Sequence, residues 1–309
     1  MKHLLLVTIS CAIIFSCKQA KNKESKSSFS DAAQVTEPAE PAAKETFKEG
    51  IIDLDIDFPG NELSSLLKKV DPSKGNIQQQ MAALVAKLPS EQQLKMKKLT
   101  QSNPFVSMQV LLAPLMKNQI FVARKRVTAK CDGLTYHLEN TLDASSNTGK
   151  IFVESRNNPA NSVTFKYDES FWKENQLQTR FDVESYNRQQ TDETATVAGY
   201  KCQKVNYTLK KADANPMRIA KIAVWTSGKM PRSLNFIHPY YVEESNGIMK
   251  IELYTNQEEG PVLVYEFKTV TSTGVEAEDL EIKQGSPVYN AATELETIGG
   301  KLMGIMFGA

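Results

Sequence analysis

The sequence predicts an α+β fold: a large, curved, half-barrel-like antiparallel sheet of about ten or eleven strands, with a helical block between the first and second strands and a C-terminal helix. Between residues 60 and 117 apolar residues recur every three or four positions, as in amphipathic helices. From Ile120 onward apolar and polar residues alternate, and turn signals such as Asp132-Gly133 and Asn246-Gly247 separate the alternating stretches. A sheet of this size with one face to cover is expected to curl over the helices.

The N-terminus predicts export and lipidation. Lys2 and His3 precede an apolar run from Leu4 to Phe15, which is too short to span a bilayer and is typical of a secretion signal. The run ends at Cys17, and the residues before this Cys resemble a bacterial lipobox, in which the signal is cut before the Cys and the new N-terminus receives three acyl chains. An ordinary secretory signal cut a few residues later is the alternative.

Composition divides the chain into three parts. A signal peptide is predicted at 1–16, the lipidated Cys and a tether at 17–46, and a single domain at 47–309 with a helical insertion at 60–117. The tether is rich in Lys, Ser, Ala, Glu and Pro and has too little apolar surface to fold. The whole chain has 37 basic and 36 acidic residues, so it lacks the basic excess expected of a nucleic-acid-binding protein.

The first elements of the domain are a strand and three helices. Strict alternation from Ile52 to Phe58 predicts a strand whose aspartates share the solvent face. Apolar stripes predict helices at Leu63–Val70 and Met81–Leu88, and Ser90 with Gln93 predicts a capping box at the start of a third. The lysines of this third helix are interpreted as a solvated face, with contact to anionic lipid as the alternative.

An unusually apolar segment follows at Phe105–Met116. It is expected either to pack in the core or to line a surface that adapts to a hydrophobic ligand, because Met tolerates varied partners. The candidate ligand-binding side chains are Phe105, Met108, Leu111, Leu112, Leu115, Met116 and, from the sheet, Trp225. At the C-terminus, Glu294–Phe307 is predicted to form a helix that docks on the body or on a partner.

Period-two alternation predicts the remaining strands. They are Ile120–Cys131, Leu134–Leu142, Lys150–Arg156, Ser162–Tyr167, Gln178–Tyr186, Lys201–Leu209, Ile219–Thr226, Gly247–Thr255, Val262–Thr271 and Val275–Ile282. In the segment Gly199-Tyr200-Lys201-Cys202-Gln203-Lys204, Tyr200 and Cys202 are expected to point to the core and the two lysines to water.

This segment, with Val224-Trp225-Thr226 further along the chain, resembles a motif of the DUF4412 family of uncharacterised Bacteroidetes envelope proteins and of the related GLPGLI-type proteins. That group is similar in shape to the LolA/LolB superfamily of lipoprotein carriers. The resemblance implies a curved half-barrel that holds acyl chains under helices, and it brings no catalytic residues. In such bacteria an acidic run after the lipidated Cys resembles a surface-export signal. The basic residues after Cys17 therefore predict the periplasmic face of the outer membrane.

No catalytic motif, cofactor or metal site is predicted, and no enzyme is expected. The sequence lacks a Gly-x-Ser-x-Gly elbow and a phosphate-binding loop, and His137 and His238 are isolated. Cys131 and Cys202 are expected to form either a disulfide or two separate buried thiols.

The predicted function is a membrane-tethered lipoprotein that binds a lipid or acyl chain in a sheet cavity. The membrane, reached through the N-terminal anchor, and a lipid or lipoprotein ligand are the expected partners. The alternative is a structural or interaction lipoprotein of the envelope with a filled core and no small-molecule ligand.

Overall fold

The computed structural model describes residues 44–71, 74–174, 183–211, 215, 218–237, 242–256 and 259–307. The predicted signal peptide at 1–16, Cys17, the tether as far as residue 43, and His238 lie outside the described residues. The described residues all belong to one compact unit.

Twelve strands of the described chain form one open, curved, mostly antiparallel sheet, which confirms the predicted α+β class. The strands are β1 Gly50–Asp57, β2 Lys117–Ala123, β3 Arg126–Asp132, β4 Tyr136–Asp143, β5 Thr148–Ser155, β6 Ser162–Tyr167, β7 Tyr186–Val197, β8 Tyr200–Leu209, β9 Ile219–Ser227, β10 Gly247–Thr255, β11 Leu263–Thr271 and β12 Val288–Asn290. Their order across the sheet is β12-β6-β5-β4-β3-β2-β1-β11-β10-β9-β8-β7, and β12 runs parallel to β6. The first strand therefore lies in mid-sheet and joins two meanders, β2–β6 and β7–β11. The second meander curls so strongly that β7 approaches β11.

Four of the helices lie between β1 and β2, where a helical block with three helices was predicted; the fourth, α4, forms within the apolar segment that follows them. The helices are α1 Leu63–Leu67, α2 Ile77–Val85, α3 Ser90–Ser102, α4 Pro104–Leu112, α5 Glu169–Glu174, α6 Ala277–Leu280 and α7 Leu295–Phe307. Helix α4 begins where Asn103 accepts a hydrogen bond from the backbone N–H of Val106 at 3.2 Å, with Pro104 in the first turn. No helix among the described residues is long and apolar enough to cross a membrane.

The helices cover one face of the sheet, here called the helical face. Ile56, Tyr265 and Ile251 form a cross-strand row on this face, and they share a buried cluster with side chains of α1 and α4. Further along β1, Ile52 points to the same face as Ile56 and pairs with Ile120 of β2. These two residues belong to a second buried cluster, together with Ile298 and Ile305 of α7. Burial of alternate residues against helices explains the period-two pattern of these strands.

The other face, here called the opposite face, is crossed by the segment between β11 and β12. The backbone N–H of Lys283 donates to Glu139 at 2.6 Å, that of Gly285 donates to Thr164 Oγ1 at 2.8 Å, and Thr128 Oγ1 donates to the Leu280 carbonyl at 3.0 Å. The prediction of a strand at Val275–Ile282 was wrong, because this stretch contains α6 and is held to the sheet by individual hydrogen bonds rather than by a ladder.

Two other strand predictions need correction. The stretch Ile120–Cys131 is two strands, β2 and β3, joined by a tight hairpin in which Arg124 takes a positive φ of 54°. No Gly or Asn indicates this turn. Part of the predicted strand Gln178–Tyr186 lies outside the described residues, and Val183–Ser185 is a 3₁₀ turn. The true strand, β7, begins at Tyr186 and has almost no apolar alternation, because it is an exposed edge strand.

Candidate functional site

The structure separates the predicted hydrophobic-ligand side chains into buried, half-buried and exposed groups. Phe105 and Leu115 are completely or almost completely buried, at 0% and 2% exposure, in the cluster that fills the space between α1, α4 and the helical face. Met108, Leu112 and Met116 are half-buried, and Leu111 is 36% exposed. Most of the segment therefore contributes to the core, and its contact with a ligand stays a prediction.

Trp225 lies away from these side chains, on the opposite face. Cross-strand register places it beside Lys204, whose ammonium lies 5.2 Å from the ring centroid and pairs with Glu193 at 2.8 Å. Tyr200 and Cys202 are buried and Lys201 is exposed, as predicted. The prediction that Lys204 faces water was wrong, since its side chain is only 14% exposed and covers the indole ring.

Most of the exposed large hydrophobic residues of the described chain lie on three helices. Among the described residues these are Leu94 on α3 at 53%, Leu111 on α4, Met303 and Phe307 on α7 at 57% and 42%, and one residue elsewhere, Val183 at 42%. Helix α3 contacts α4, and α4 contacts α7. Leu94, Leu111, Met303 and Phe307 are here called the apolar helix surface.

Basic residues accompany this surface. On α3, Lys97 and Lys98 lie three and four residues after Leu94 and so occupy the same side of the helix, with Lys95 beside them. All three lysines are exposed. Sequence reasoning identified these lysines and Leu111 but missed Leu94, Met303 and Phe307.

A second cluster of functional side chains is centred on His137 of β4. Its Nδ1 lies 2.7 Å from Asp132 Oδ1 and its Nε2 lies 3.0 Å from Glu139 Oε1. The hydrogen bond that the ring donates to Asp132, and after it the one to Glu139, raise the pKa of His137 to about 9. The ring is therefore charged at neutral pH and cannot act as a general base there. Since Glu139 also accepts the Lys283 N–H, the cluster fastens the crossing segment to the sheet.

The residues around His137 do not form a metal site. Within the described residues no group of three or more His, Cys, Asp or Glu side chains is arranged to hold a metal ion. Asp132 is instead neutralised by His137 and by Arg156, whose guanidinium lies 2.6 Å away.

Cys131 and Cys202 are both free thiols, which corrects the disulfide alternative. Cys131 lies on β3 and Cys202 on β8, with five strands between them, whereas a disulfide needs Cα atoms within about 7 Å. Burial, aided by the charge of Asp132, raises the pKa of Cys131 to about 12, and burial raises that of Cys202 to about 11. Neither thiol is therefore activated as a nucleophile.

An open cleft of about 610 Å³ lies at the ends of β3–β6, bounded by residues 280–282 and 290–292. Its lining includes Arg126, Asp143, Lys150, Lys166, Asp168 and Phe171. A second cleft of about 470 Å³ adjoins it at the β2–β3 hairpin and shares Arg126 and Asp143. Sequence reasoning missed both clefts, because their side chains come from separate strands and loops.

Comparison with known proteins shows no family membership. No protein family matches the sequence, and no curated protein is similar to it. Among solved structures, the chain is similar to PNGF-II at 11% identity and a TM-score of 0.36, over 82% of this chain and 33% of PNGF-II. It is also similar to an uncharacterized conserved protein from Thermus thermophilus at 5% identity and a TM-score of 0.25, over 56% of this chain and 83% of that protein. The chain thus spans about a third of PNGF-II, and similarities this low carry no functional conclusion. The resemblance to DUF4412 and to the lipoprotein carriers stays a prediction.

Proposed function

We propose that this protein is a non-catalytic lipoprotein, anchored through Cys17 to the periplasmic face of the outer membrane, whose body contacts bilayer lipid through the apolar helix surface. The single observation that carries this proposal is that four of the five exposed large hydrophobic residues of the described chain lie on three helices, of which α4 contacts both α3 and α7. Exposed apolar residues grouped on one part of a protein are typical of an interaction site.

The charges favour a lipid surface over a protein surface. Lys95, Lys97 and Lys98 accompany Leu94 on α3, and apolar side chains with adjacent lysines are typical of helices that lie in a membrane interface. Each half-exposed apolar side chain of this surface is expected to contribute about 1 kcal/mol on burial. Each lysine contributes about 1 kcal/mol on an anionic membrane. The predicted tether at 17–46 separates the lipidation site from the body, which would let the body reach the bilayer.

The buried state of Phe105 and Leu115 favours lipid contact at this outer surface over an acyl chain enclosed beneath the helices. The proposed protein therefore has a filled core, as in the predicted interaction lipoprotein, and binds lipid, as in the predicted cavity protein, but on its outer surface.

Vesicle flotation of the chain that begins at Lys18, without signal or lipidation site, tests the proposal. We expect flotation with phosphatidylglycerol-containing vesicles and little with pure phosphatidylcholine. The Leu94→Ser/Met303→Ser/Phe307→Ser variant should stay unbound. Val183→Ser, which changes the one exposed large apolar residue that the structure describes outside these helices, is the matched control and should still float. Equal flotation of the triple variant and the parent would contradict the proposal.

Native mass spectrometry of the same chain tests the enclosed-ligand alternative. A co-purified lipid that is released only on unfolding would favour a cavity. A clean apo mass together with flotation would favour the outer surface.

A further inference from the structure

The geometry points to a binding site, in the 610 Å³ cleft on the opposite face, for a saccharide that carries an anionic group. This volume lies within the range of about 300–1,000 Å³ that is usual for small-molecule sites. The register shows that the lining residues Thr141, Lys150 and Lys166 form one cross-strand row on the opposite face, so the site does not overlap the apolar helix surface.

The strongest indication is a pair of like charges. Lys150 of β5 lies directly opposite Lys166 of β6 in the antiparallel register. Side chains in such positions have Cβ atoms about 5 Å apart, and two like charges there destabilise the sheet. Lys150 donates to the neutral amide oxygen of Gln284 at 2.6 Å, and the ammonium of Lys166 has no hydrogen bond or ion pair within the described residues. An anionic ligand group between the two ammonium groups would remove this repulsion.

Arg126 adds a third positive charge to the same cleft. It is exposed, lies one row away opposite Asp143, and like Lys166 has no ion pair in the part of the chain that the structure describes. A guanidinium and two ammonium groups on one wall match a carboxylate or a phosphate.

The carboxylates of the cleft favour a sugar over a bare anion. Asp143 accepts from the Ser145 N–H at 2.7 Å, and Asp168 accepts from Ser170 Oγ at 2.6 Å; these hydrogen bonds lower the pKa of both carboxyls and fix their orientation. Glu281 is the third acidic residue of the lining. Fixed carboxylates repel a simple anion but accept hydrogen bonds from hydroxyl groups. A ligand with hydroxyls and one anionic group can pair its anionic group with the basic side chains and donate hydrogen bonds from its hydroxyls to the carboxylates.

The aromatic residues that border the cleft belong to the core. Tyr167 and Phe171, whose ring centroids lie 5.7 Å apart, are only 5% and 3% exposed. A Cβ at Gly149 would lie 2.3 Å from the Tyr167 ring, so the glycine is what allows this ring its position. The saccharide would therefore be held by the charged side chains of the cleft.

Two kinds of anionic saccharide fit this cleft: sugars with the carboxylate of a uronic acid, and sugars with a phosphate group. Isothermal titration calorimetry of the full-length protein, extracted in detergent, distinguishes the two with trigalacturonate and glucose 6-phosphate as probes. Neutral maltotriose and inorganic phosphate are the comparison ligands. We expect saturable binding of at least one anionic sugar, and binding weaker by at least about tenfold for each comparison ligand.

The Lys150→Gln/Lys166→Gln variant should lose at least about tenfold in affinity, whereas Lys201→Gln, at an exposed position on β8, should not. Because a like-charge pair is removed, the ligand-free variant is expected to unfold at a temperature no lower than the parent, which separates lost binding from lost folding. The inference is overturned if neither anionic sugar binds, if maltotriose or phosphate binds equally well, or if the double variant keeps the parent affinity.

Discussion

Replacing Phe105 with Ala tests whether the apolar segment after α3 is core or ligand surface. Phe105 is 0% exposed and lies in the cluster that joins α1 and α4 to the helical face. Removing a fully buried phenyl ring loses its transfer free energy and leaves a cavity that the neighbours fill only in part. The expected loss in the free energy of unfolding is about 3–5 kcal/mol.

Urea denaturation followed by circular dichroism, on the chain that begins at Lys18, measures this loss. For a domain of this size, about 1 kcal/mol corresponds to about 2–4 °C in melting temperature, so the thermal midpoint should fall by about 10 °C. Leu111→Ala is the matched control on the same helix. Since Leu111 is 36% exposed, its truncation should cost less than about 1 kcal/mol.

Two results would refute the reasoning. A decrease of less than about 1 kcal/mol in the free energy of unfolding for Phe105→Ala would mean that the ring is not held in a packed core. That result would support the alternative that Phe105 lines a ligand surface. An equal loss for Phe105→Ala and Leu111→Ala would mean that exposure does not distinguish the two positions.

Three further predictions concern pH, thiols and a glycine. The pKa of His137 is raised from 6.5 to about 9, so the charged ring stabilises the folded protein fully below pH 6.5, and this contribution is lost as pH rises through 9. His137→Gln should therefore flatten the decline in the free energy of unfolding that urea titrations measure over this range. An unchanged profile would contradict the prediction. Cys131 and Cys202 should react with a thiol reagent only after unfolding, because both are free and have raised pKa values; rapid labelling of native protein would disprove this. Gly50 has φ +148°, and a Cβ there would lie 2.0 Å from the Thr271 carbonyl oxygen. Gly50→Ala should therefore lower the free energy of unfolding, measured by urea denaturation, by at least about 2 kcal/mol. An unchanged free energy would show that the strand can shift to accept the methyl group.

Sequence patterns could predict the element types and the fold class because burial on one face imposes a period on each element. Alternation at Ile52–Phe58, the helical stripes and the capping box predicted a strand before three of the four helices, and the later alternation predicted most of the two meanders. The pattern failed at β7, which has too little buried surface to impose alternation, and at the Arg124 turn, where a non-glycine residue adopts positive φ.

Only the tertiary structure decided which side chains meet. Phe105 and Leu111 look alike in sequence, yet one is buried and the other exposed, because that depends on how α4 is rotated against the sheet. Lys150 and Lys166 are far enough apart in sequence to look unrelated, and the register of β5 with β6 sets them side by side. Register and helix rotation come from turn geometry and from packing summed over many residues. A local pattern therefore determines that an element forms, and long-range packing determines what its side chains can bind.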